Sequence, residues 1–553
     1  MTENRSTEIR RVCEALFDTY TQVAANDVDE LQRLIDPRGY TKGKLHQENV
    51  RYRHCPQAKA ALDVLVSAHS TYISPSGQKW FSLKSRQHQL TPYGKKNRIS
   101  DWYNKTTEIT NNELSDSNFY TTLQEVYTDR CLGGTGACYI GGDETKPLHF
   151  IHVPLGSFAI AEDAQGKVNM LVRKFRYTPE QAAHQWGMDN LPEHVRDAYA
   201  DIQRRYTEKI EFVHLVRPRE DGVRGSQDIP EELREYEGIY ADTKNYHIIH
   251  HEGYFEFPYL VTRFLKGNDS AYGVAPGLGV IPIIRQLMKL ERLLDTQAEV
   301  ATFPRVLQLA GQNRQVDMRA GAITTVSPDE ASLGFPREWG TQGRYDIGLD
   351  RIKAKEELID QAYYVHMLNA ISSVDRQMTA TEINARESEK VLAFSPSFTL
   401  FISDFQPAMR RIISILYRKG QLPKEGMPDE LFHVDSNGNV TVMNPNVSYL
   451  GKIAQAIERV QRRGIDQALE TIIGYTQATG DGSMLQALQP RQIARYVVEA
   501  SGAPYDILRT DVELEAMDAQ AAQMQMAQME AEQQQMQMAA ADKGASAIEK
   551  LSR

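Results

Sequence analysis

The sequence predicts an α+β protein that is mainly helical. Apolar residues at helical spacing recur in both halves of the 553-residue chain, and a central region has short alternating or β-branched runs separated by Gly, Pro and Asp. The length is several times that of a usual domain, so two to four folding units are expected. A hydrophobic content of 41% is sufficient for real cores.

The first hundred residues have the pattern of helices joined by polar loops. A clearer helix begins near Ser115 and ends at the Gly133-Gly134 pair. One face of this helix is apolar and should be buried; it consists of Phe119, Leu123, Val126, Tyr127 and Cys131.

Strands are predicted next, at residues 137–142, 148–153, 157–163 and 167–177. A short helix follows, with Thr178 as its N-cap, Pro179 in the first turn and Gln181 where a capping box requires it. Two further strand regions, at 209–218 and 245–265, complete a mixed α+β unit.

From Pro276 the pattern changes to a long helix, a small β-flavoured module and a returning helix. The first helix should stop before Phe303-Pro304, and the second should begin near Asp346. The apolar stripe that marks the first helix is Ile283, Leu287, Leu290, Leu294 and Ala298.

The longest helical tract begins at a capping box of Thr379 and Glu382 and ends before Gly420. Prolines at 396 and 407 should kink or break it. Residues 446–502 have the pattern of three shorter helices. Residues 511–553 are rich in Ala, Gln and Met, and their weak heptad spacing predicts a helix that needs neighbours or partial disorder.

The charge and the apolar content limit the partners. A net charge of −10 is unusual for a protein that binds DNA by neutralising phosphates, so any contact with nucleic acid should be loose. The most apolar stretch, residues 272–284, is shorter than the roughly twenty residues that a bilayer requires, and the polar start lacks a secretory signal. We expect a soluble protein of a reducing cytoplasm, because its cysteines are few and scattered: Cys13, Cys55, Cys131 and Cys138.

Enzyme motifs are missing from the sequence. It has no phosphate loop ending in Gly-Lys-Ser/Thr, no H-E-x-x-H, no paired C-x-x-C and no G-x-S-x-G. We therefore predict that the protein is not an enzyme and has no cofactor and no metal.

Two clusters nevertheless admit a site. The glycine turn at residues 133–136 could cradle phosphate, but it follows a helix and precedes a strand, which favours a helix stop and tight turn. His247 and His251 fall on one face of a predicted strand, beside His250. No Cys or Asp accompanies them at ligand spacing, which favours partly exposed strand histidines over a metal site.

Several segments resemble podophage head-to-tail connector proteins, the portal family. In AYGVAPGLGVIPIIRQLMKLERLLDTQAEVATFPRVL, a Tyr-Gly-x-x-Pro signature leads into the family's stem helix and clip entry. MTATEINARESEKVLAFSPSFTLFISDFQPAMRRIISILYRKGQLP is similar to its Thr-Ala-Thr-Glu segment, long wing helix and closing Gly-x-Leu-Pro. DRCLGGTGACYIGGD and FIHVPLGSFAIAEDAQGKV resemble its wing. The order of elements agrees over roughly residues 10–510.

The resemblance implies a portal fold with a wing, a helical stem, a small α/β clip and a helical crown. Its implied segments are the α+β wing at 1–275, a stem helix at 276–301, the clip at 302–345, a second stem helix at 346–370, a channel loop at 371–379, a long wing helix at 380–425, the crown at 426–510 and the tail at 511–553.

The resemblance also implies a function. Copies, usually twelve, would form a ring at one capsid vertex of the virion, assembled in the host cytoplasm, and conduct double-stranded viral DNA during packaging and ejection without sequence specificity. The partners would be the terminase large subunit, tail adaptor and tail tube proteins, and the major capsid and scaffolding proteins, with no membrane partner. The alternative is another virion structural protein, an adaptor or an internal scaffold.

Candidate site residues follow from the implied segments. The channel candidates are Asp375, Arg376 and Gln377; Arg376 would either touch DNA phosphates or pair with a carboxylate, and both options stay open. The carboxylates at 356, 357 and 360 suit a polar or subunit-facing helix side better than an acid/base pair. The stem candidates are Arg285, Lys289, Arg292, Lys353, Glu356, Glu357 and Asp360.

Overall fold

A computed structural model gives the fold of the chain. It describes residues 2–36, 54–84, 93–142, 146–222, 229–302, 306–307, 337–338, 345–369, 395–423, 432–434, 440–442 and 446–449, with single positions at 471–472, 474, 517, 520, 523–524 and 526. The chain divides into two units, residues 1–90 with 99–453 and residues 91–98 with 454–553. The described positions of the second unit are all helical.

The N-terminal region is helical, as predicted, but it includes one strand that the sequence did not indicate. Its elements are α1 (Thr2–Tyr20), a π-helical turn (Thr21–Ala25), α2 (Asn26–Leu34), α3 (Pro56–Tyr72), β1 (Phe81–Lys84), α4 (Tyr93–Asp116) and α5 (Phe119–Gly133). The predicted apolar face of α5 is buried throughout, from Phe119 to Cys131. The helix begins at Phe119 rather than Ser115, because residues up to Asp116 finish α4.

Two antiparallel sheets follow, and most of their strands match the prediction. Their strands are β2 (Thr135–Gly141), β3 (His149–Val153), β4 (Phe158–Glu162), β5 (Val168–Tyr177), β6 (Ile210–Pro218), β7 (Tyr236–Asp242), β8 (Ile248–Tyr254) and β9 (Tyr259–Arg263). One sheet has the order β3-β2-β9 and the other β4-β5-β6-β7-β8. The sequence did not indicate β7, because Glu237 and Gly238 weaken its strand pattern.

Two cores stabilise the sheets. In the first, α1 residues such as Ile9 and Cys13 join the larger core that both sheets share, around Leu171 and Val213. In the second, two short helices, α6 (Pro179–Trp186) and α7 (Glu193–Ala200), pack Trp186 and neighbouring apolar residues against the five-stranded sheet. The short α8 (Ile202–Thr207) follows them and contributes no buried residue. The capping box predicted at Thr178 is confirmed, with both hydrogen bonds to Gln181 present.

The predicted outgoing and returning helices are confirmed. They are α9 (Pro276–Thr302) and α10 (Tyr345–Ala362), followed by the short α11 (Val365–Asn369). Between α9 and α10, β12 (Val306–Leu307) pairs antiparallel with β13 (Arg337–Glu338). The buried side of α9 is shifted from the predicted stripe: Ile283 and Leu290 are half-buried and Ala298 is exposed. The buried apolar residues of α9 are Val280, Ile281, Ile284, Leu287 and Leu294. A two-stranded pair, β10 (Leu265–Lys266) with β11 (Gly273–Val274), leads into α9.

The long C-terminal helix of the first unit is α12 (Ser395–Arg418), which ends at Gly420 with φ of 70°, as predicted. Of the predicted kink or break at Pro407, the break is wrong, because one helix continues through this residue. One missing N–H removes a single hydrogen bond, and buried Phe405 and Met409 on either side hold both halves in place. Pro396 lies in the first turn, where proline is tolerated. The capping box at Thr379 and Glu382 lies outside the described residues.

The segment after α12 is partly sheet. A hairpin joins β14 (Phe432–Val434) and β15 (Val440–Val442), and β16 (Asn446–Tyr449) pairs antiparallel with β1. The prediction that helix begins at residue 446 is therefore wrong, because these residues complete a sheet with a strand from the start of the chain. Within the described part of the chain, no helix is long and apolar enough to cross a bilayer.

Candidate functional site

The seven stem candidates all lie on α9 and α10, which pack along each other and which we call the helix pair. A β-carbon on Gly277 would lie 3.0 Å from the Tyr363 hydroxyl, and one on Gly348 would lie 2.5 Å from a Leu294 methyl. The start of α9 therefore lies beside the end of α10, and the later part of α9 beside the start of α10. The two helices are antiparallel and closely packed.

Three of the candidates form a basic stripe on α9. Arg285, Lys289 and Arg292 recur at i, i+4 and i+7, so they share one side of the helix. Arg285 forms a two-fold ion pair with Glu30 on α2, and this contact raises the pKa of the Arg285 guanidinium. Lys289 and Arg292 are exposed and form no ion pair with any other described residue.

The other four candidates lie on α10, two of them exposed and two half-buried. Asp360 accepts a hydrogen bond of 2.6 Å from the Gln57 side chain on α3. Glu356 is half-buried, whereas Lys353 and Glu357 are exposed and form no ion pair within the described part of the chain. These carboxylates therefore form a polar helix side that partly contacts α3, as the sequence favoured, rather than an acid/base pair.

The glycine turn at 133–136 is a backbone junction. Gly134 ends α5 with φ of 87°, and its carbonyl accepts the N–H of Phe264 at 2.9 Å. A β-carbon on Gly134 would lie 2.2 Å from the Gly273 carbonyl oxygen, so the two backbones touch. The N–H of Gly273 donates to the Thr135 hydroxyl at 2.8 Å. The turn thus fastens the end of α5 to the segment that leads into the helix pair.

Buried charges fasten α12 to the three-stranded sheet. The Arg263 guanidinium on β9 contacts Asp404 on α12 at 3.0 Å and also pairs with Glu162. The fully buried Arg130 donates to the Ser397 hydroxyl at 2.9 Å and to the Arg263 carbonyl at 3.0 Å. Burial raises the pKa of the Asp404 carboxyl, and the nearby Arg263 opposes that rise.

A second buried contact lies toward the end of α12. The Arg411 side chain donates to the Ile140 carbonyl at 2.8 Å, and Glu256 accepts from Ser414 and contacts Arg418 at 3.4 Å. Sequence patterns did not indicate any of these residues, because a buried ion pair between distant segments has no local signature.

The histidines at 247 and 251 contact different acidic residues and do not form a shared site. His247 precedes β8, and its N–H donates to the Asp242 carboxylate. His251 lies within β8 with Nε2 at 3.2 Å from Glu237, where Arg5 and Arg217 also pair. No group of three or more metal-ligating side chains that could hold an ion occurs among the residues that the structure describes. The channel candidates Asp375, Arg376 and Gln377 lie outside the described residues.

Comparison with known proteins identifies the family. The sequence profile described as "Bacteriophage head to tail connecting protein" matches residues 6–508. The portal protein of Salmonella phage epsilon15 is 22% identical over 466 residues, covering 80% of this chain and 82% of the relative. The probable portal protein of Bordetella phage BPP-1 is 22% identical over 505 residues, covering 89% and 84%.

A solved chain titled "Virion of native gene transfer agent (GTA) particle" aligns with 83% of this chain and 95% of its own length. Its identity is 10% and its TM-score 0.36, a similarity that supports no conclusion about the fold. The profile match is the decisive finding, since the matched range, residues 6–508, includes the sheets, the helix pair and α12. The chain belongs to the family of bacteriophage head-to-tail connecting proteins.

Proposed function

We propose that this chain is a portal subunit, whose copies close into a ring at one capsid vertex and let DNA pass through the centre. The observation that carries the proposal is the family match over residues 6–508, together with two portal-named relatives whose alignments cover 80% and 89% of the chain. One relative is named a portal protein and the other a probable portal protein, which favours this role over an adaptor or an internal scaffold.

Within the proposed ring, the helix pair is the stem. The 27 residues of α9 give a helix about 40 Å long, enough for the wall of a conduit. The paired strands β12 and β13, at the far end of that helix, belong to the proposed clip at 302–345. The two sheets and α12 form the wing, residues 426–510 the crown, and residues 371–379 the channel loop.

The buried contacts of α12 support one part of this assignment. The ion pair of Arg263 with Asp404 and the hydrogen bond of Arg130 to Ser397 tie α12 to the sheet of the N-terminal region. These contacts join α12 to a sheet whose strands lie more than a hundred residues earlier in sequence. A wing made from two separate segments of the chain requires such contacts.

The proposed partners follow from the family role. Twelve copies form the ring, the terminase large subunit docks at the clip during filling, and tail adaptor and tail tube proteins replace it afterwards. Major capsid and scaffolding proteins surround the ring. The net charge of −10 for each copy suits a conduit in which double-stranded DNA slides without tight, sequence-specific binding.

Electron microscopy of the purified protein tests the proposal. Closed rings with a central hole, together with a mass by light scattering that corresponds to about twelve copies, are the expected result. A protein that stays monomeric or dimeric at micromolar concentration, in the presence and absence of scaffolding protein, would overturn the portal role.

A further inference from the structure

The helix pair has two outer sides that carry opposite charge. On α9, the buried Leu287 and Leu294 share one side. Arg285 and Arg292 each lie two residues earlier in sequence, and two residues correspond to a turn of about 200°. The basic stripe of Arg285, Lys289 and Arg292 therefore lies on the side of α9 that faces away from α10, and its first residue, Arg285, meets Glu30 of α2.

On α10, acidic residues likewise lie two positions before residues that pack in the core. Ile359 is fully buried, and Gly348 is packed against Leu294. Glu357 and Asp346 lie two residues before these positions, and Asp350 lies one turn beyond Asp346, so the three carboxylates share the side that faces away from α9. Lys353 lies one turn before Glu357 on the same side, which therefore carries three carboxylates and one lysine and is acidic on balance. Asp350 and Glu357 are exposed and form no ion pair within the described part of the chain.

The two sides also match in height. Gly348 lies beside Leu294, and the helices are antiparallel. Arg292 precedes Leu294 by two residues, and Asp350 follows Gly348 by two. Because the helices run in opposite directions, both residues lie about 3 Å from the Leu294–Gly348 contact in the same direction along the helix axes. Rotation about a ring axis parallel to the helices keeps the height of every residue. Arg292 of one copy therefore comes level with Asp350 of the next.

We propose that neighbouring copies meet in the stem through these two sides, the basic side of α9 against the acidic side of α10, with Arg292 and Asp350 as the central pair. The proposal rests on the ring proposed above. A ring requires a heterologous contact between two different surfaces of the chain, and opposite charge on opposite sides of one helix pair provides two such surfaces. Complementary charges also fix the register of the contact.

The basic stripe could instead face DNA, and this alternative is less well supported. Glu30 already neutralises Arg285, which leaves two basic residues on the stripe without a carboxylate partner in the described part of the chain. A DNA-facing stripe would also leave the matching acidic side of α10 without a role. The test separates the two occupants.

Charge reversal with a mixing step tests the contact. Arg292→Glu places two carboxylates at each contact, and Asp350→Arg places two guanidiniums there. We expect either variant alone to raise the concentration for half-assembly of rings by about tenfold or more. An equal mixture of the two should restore rings to within about threefold of the parent. In alternating copies, the introduced glutamate faces the introduced arginine at one contact, and the native Arg292 faces the native Asp350 at the next.

A matched control and the contrary outcomes complete the design. Arg351→Glu makes the same charge change at an exposed position on another side of α10 and should assemble like the parent. Thermal unfolding of each monomer checks that the folds are intact. Normal rings from both single variants, or no rescue on mixing, would overturn the contact. Normal rings with weaker DNA retention in Arg292→Glu alone would assign the stripe to DNA. A parent that forms no rings would instead overturn the portal role itself.

Discussion

Asp404 binds Arg263 through both of its carboxylate oxygens, one accepting the backbone N–H at 3.0 Å and the other the guanidinium at 3.0 Å. Both side chains are more than 90% buried. Asp404 lies on α12 and Arg263 on β9, so a single residue both completes the edge of a strand and neutralises a buried charge.

Replacing Asp404 with Asn should therefore destabilise the first unit by about 3 kcal/mol or more, because a buried guanidinium loses one of its two carboxylates. Urea denaturation followed by fluorescence of the buried Trp80 measures the effect, since Trp80 packs against Phe405 of α12. Arg10→Ala, which breaks an exposed pair with Glu14, is the control and should leave the midpoint unchanged. A midpoint for Asp404→Asn equal to that of the control would show that the contact contributes no stability.

Replacing Gly134 with Ala should cost about 2–3 kcal/mol, because the residue has φ of 87° and the new methyl group would meet the Gly273 backbone. Gly420→Ala is a matched control, with φ of 70° and open space around it, and should cost only about 1 kcal/mol. The difference between the two isolates the contact between the glycines. Equal losses in urea denaturation would mean that the junction tolerates a methyl group.

The stability of the first unit should fall as the pH drops from about 4.5 to about 2. Burial alone would raise the pKa of Glu237, but hydrogen bonds from His251 and Arg5 and the charge of Arg217 outweigh it and lower the pKa to about 2. A carboxyl with a lowered pKa stabilises the fold above its unfolded value of 4.5 and loses that contribution as it is protonated in the folded state. The loss should amount to roughly 2–3 kcal/mol.

Glu237→Gln provides the comparison for this pH profile. The variant should be less stable than the parent at pH 6, and the difference should shrink steadily as the pH approaches 2. Thermal melting over a pH series measures both curves. Parallel curves for parent and variant between pH 6 and pH 2 would show that Glu237 is not responsible for the acid sensitivity.

Replacing Arg376 with Ala should leave rings intact but shorten or loosen the packaged DNA, if one arginine from each copy touches phosphates in the channel. A single weak contact from each subunit can exchange during sliding and still resist slippage collectively. Packaged genome length and its retention after a salt wash measure the effect, with Gln377→Ala as an uncharged control in the same loop. Full-length genomes held as firmly as in the parent would favour the pairing of Arg376 with a carboxylate.

The sequence predicted those elements whose signal is local. The buried face from Phe119 to Cys131 and the capping box at Thr178 depend on residues a few positions apart, and both are confirmed. The helix is not broken at Pro407, because the burial of Phe405 and Met409 outweighs one lost hydrogen bond. At the candidate site, the basic stripe on α9 could be predicted, since its spacing is helical.

Contacts between distant segments could not be predicted in this way. Arg263 and Asp404 are 141 positions apart, and neither residue type nor spacing connects them. The contact between Gly134 and Gly273 could not be predicted either, because a glycine in a turn does not indicate which backbone segment will pack against it. The pairing of β1 with β16 is the extreme case.

That pairing has a consequence for the order in which the protein is made. Phe81 of β1 pairs with Tyr449 of β16, which is synthesised 368 residues later. At the usual rate of synthesis of roughly 5–20 residues per second, this strand stays without its partner for about 20–70 seconds. The sheet therefore closes only on chains that have been translated almost to the end of the first unit, and a prematurely terminated product cannot form it.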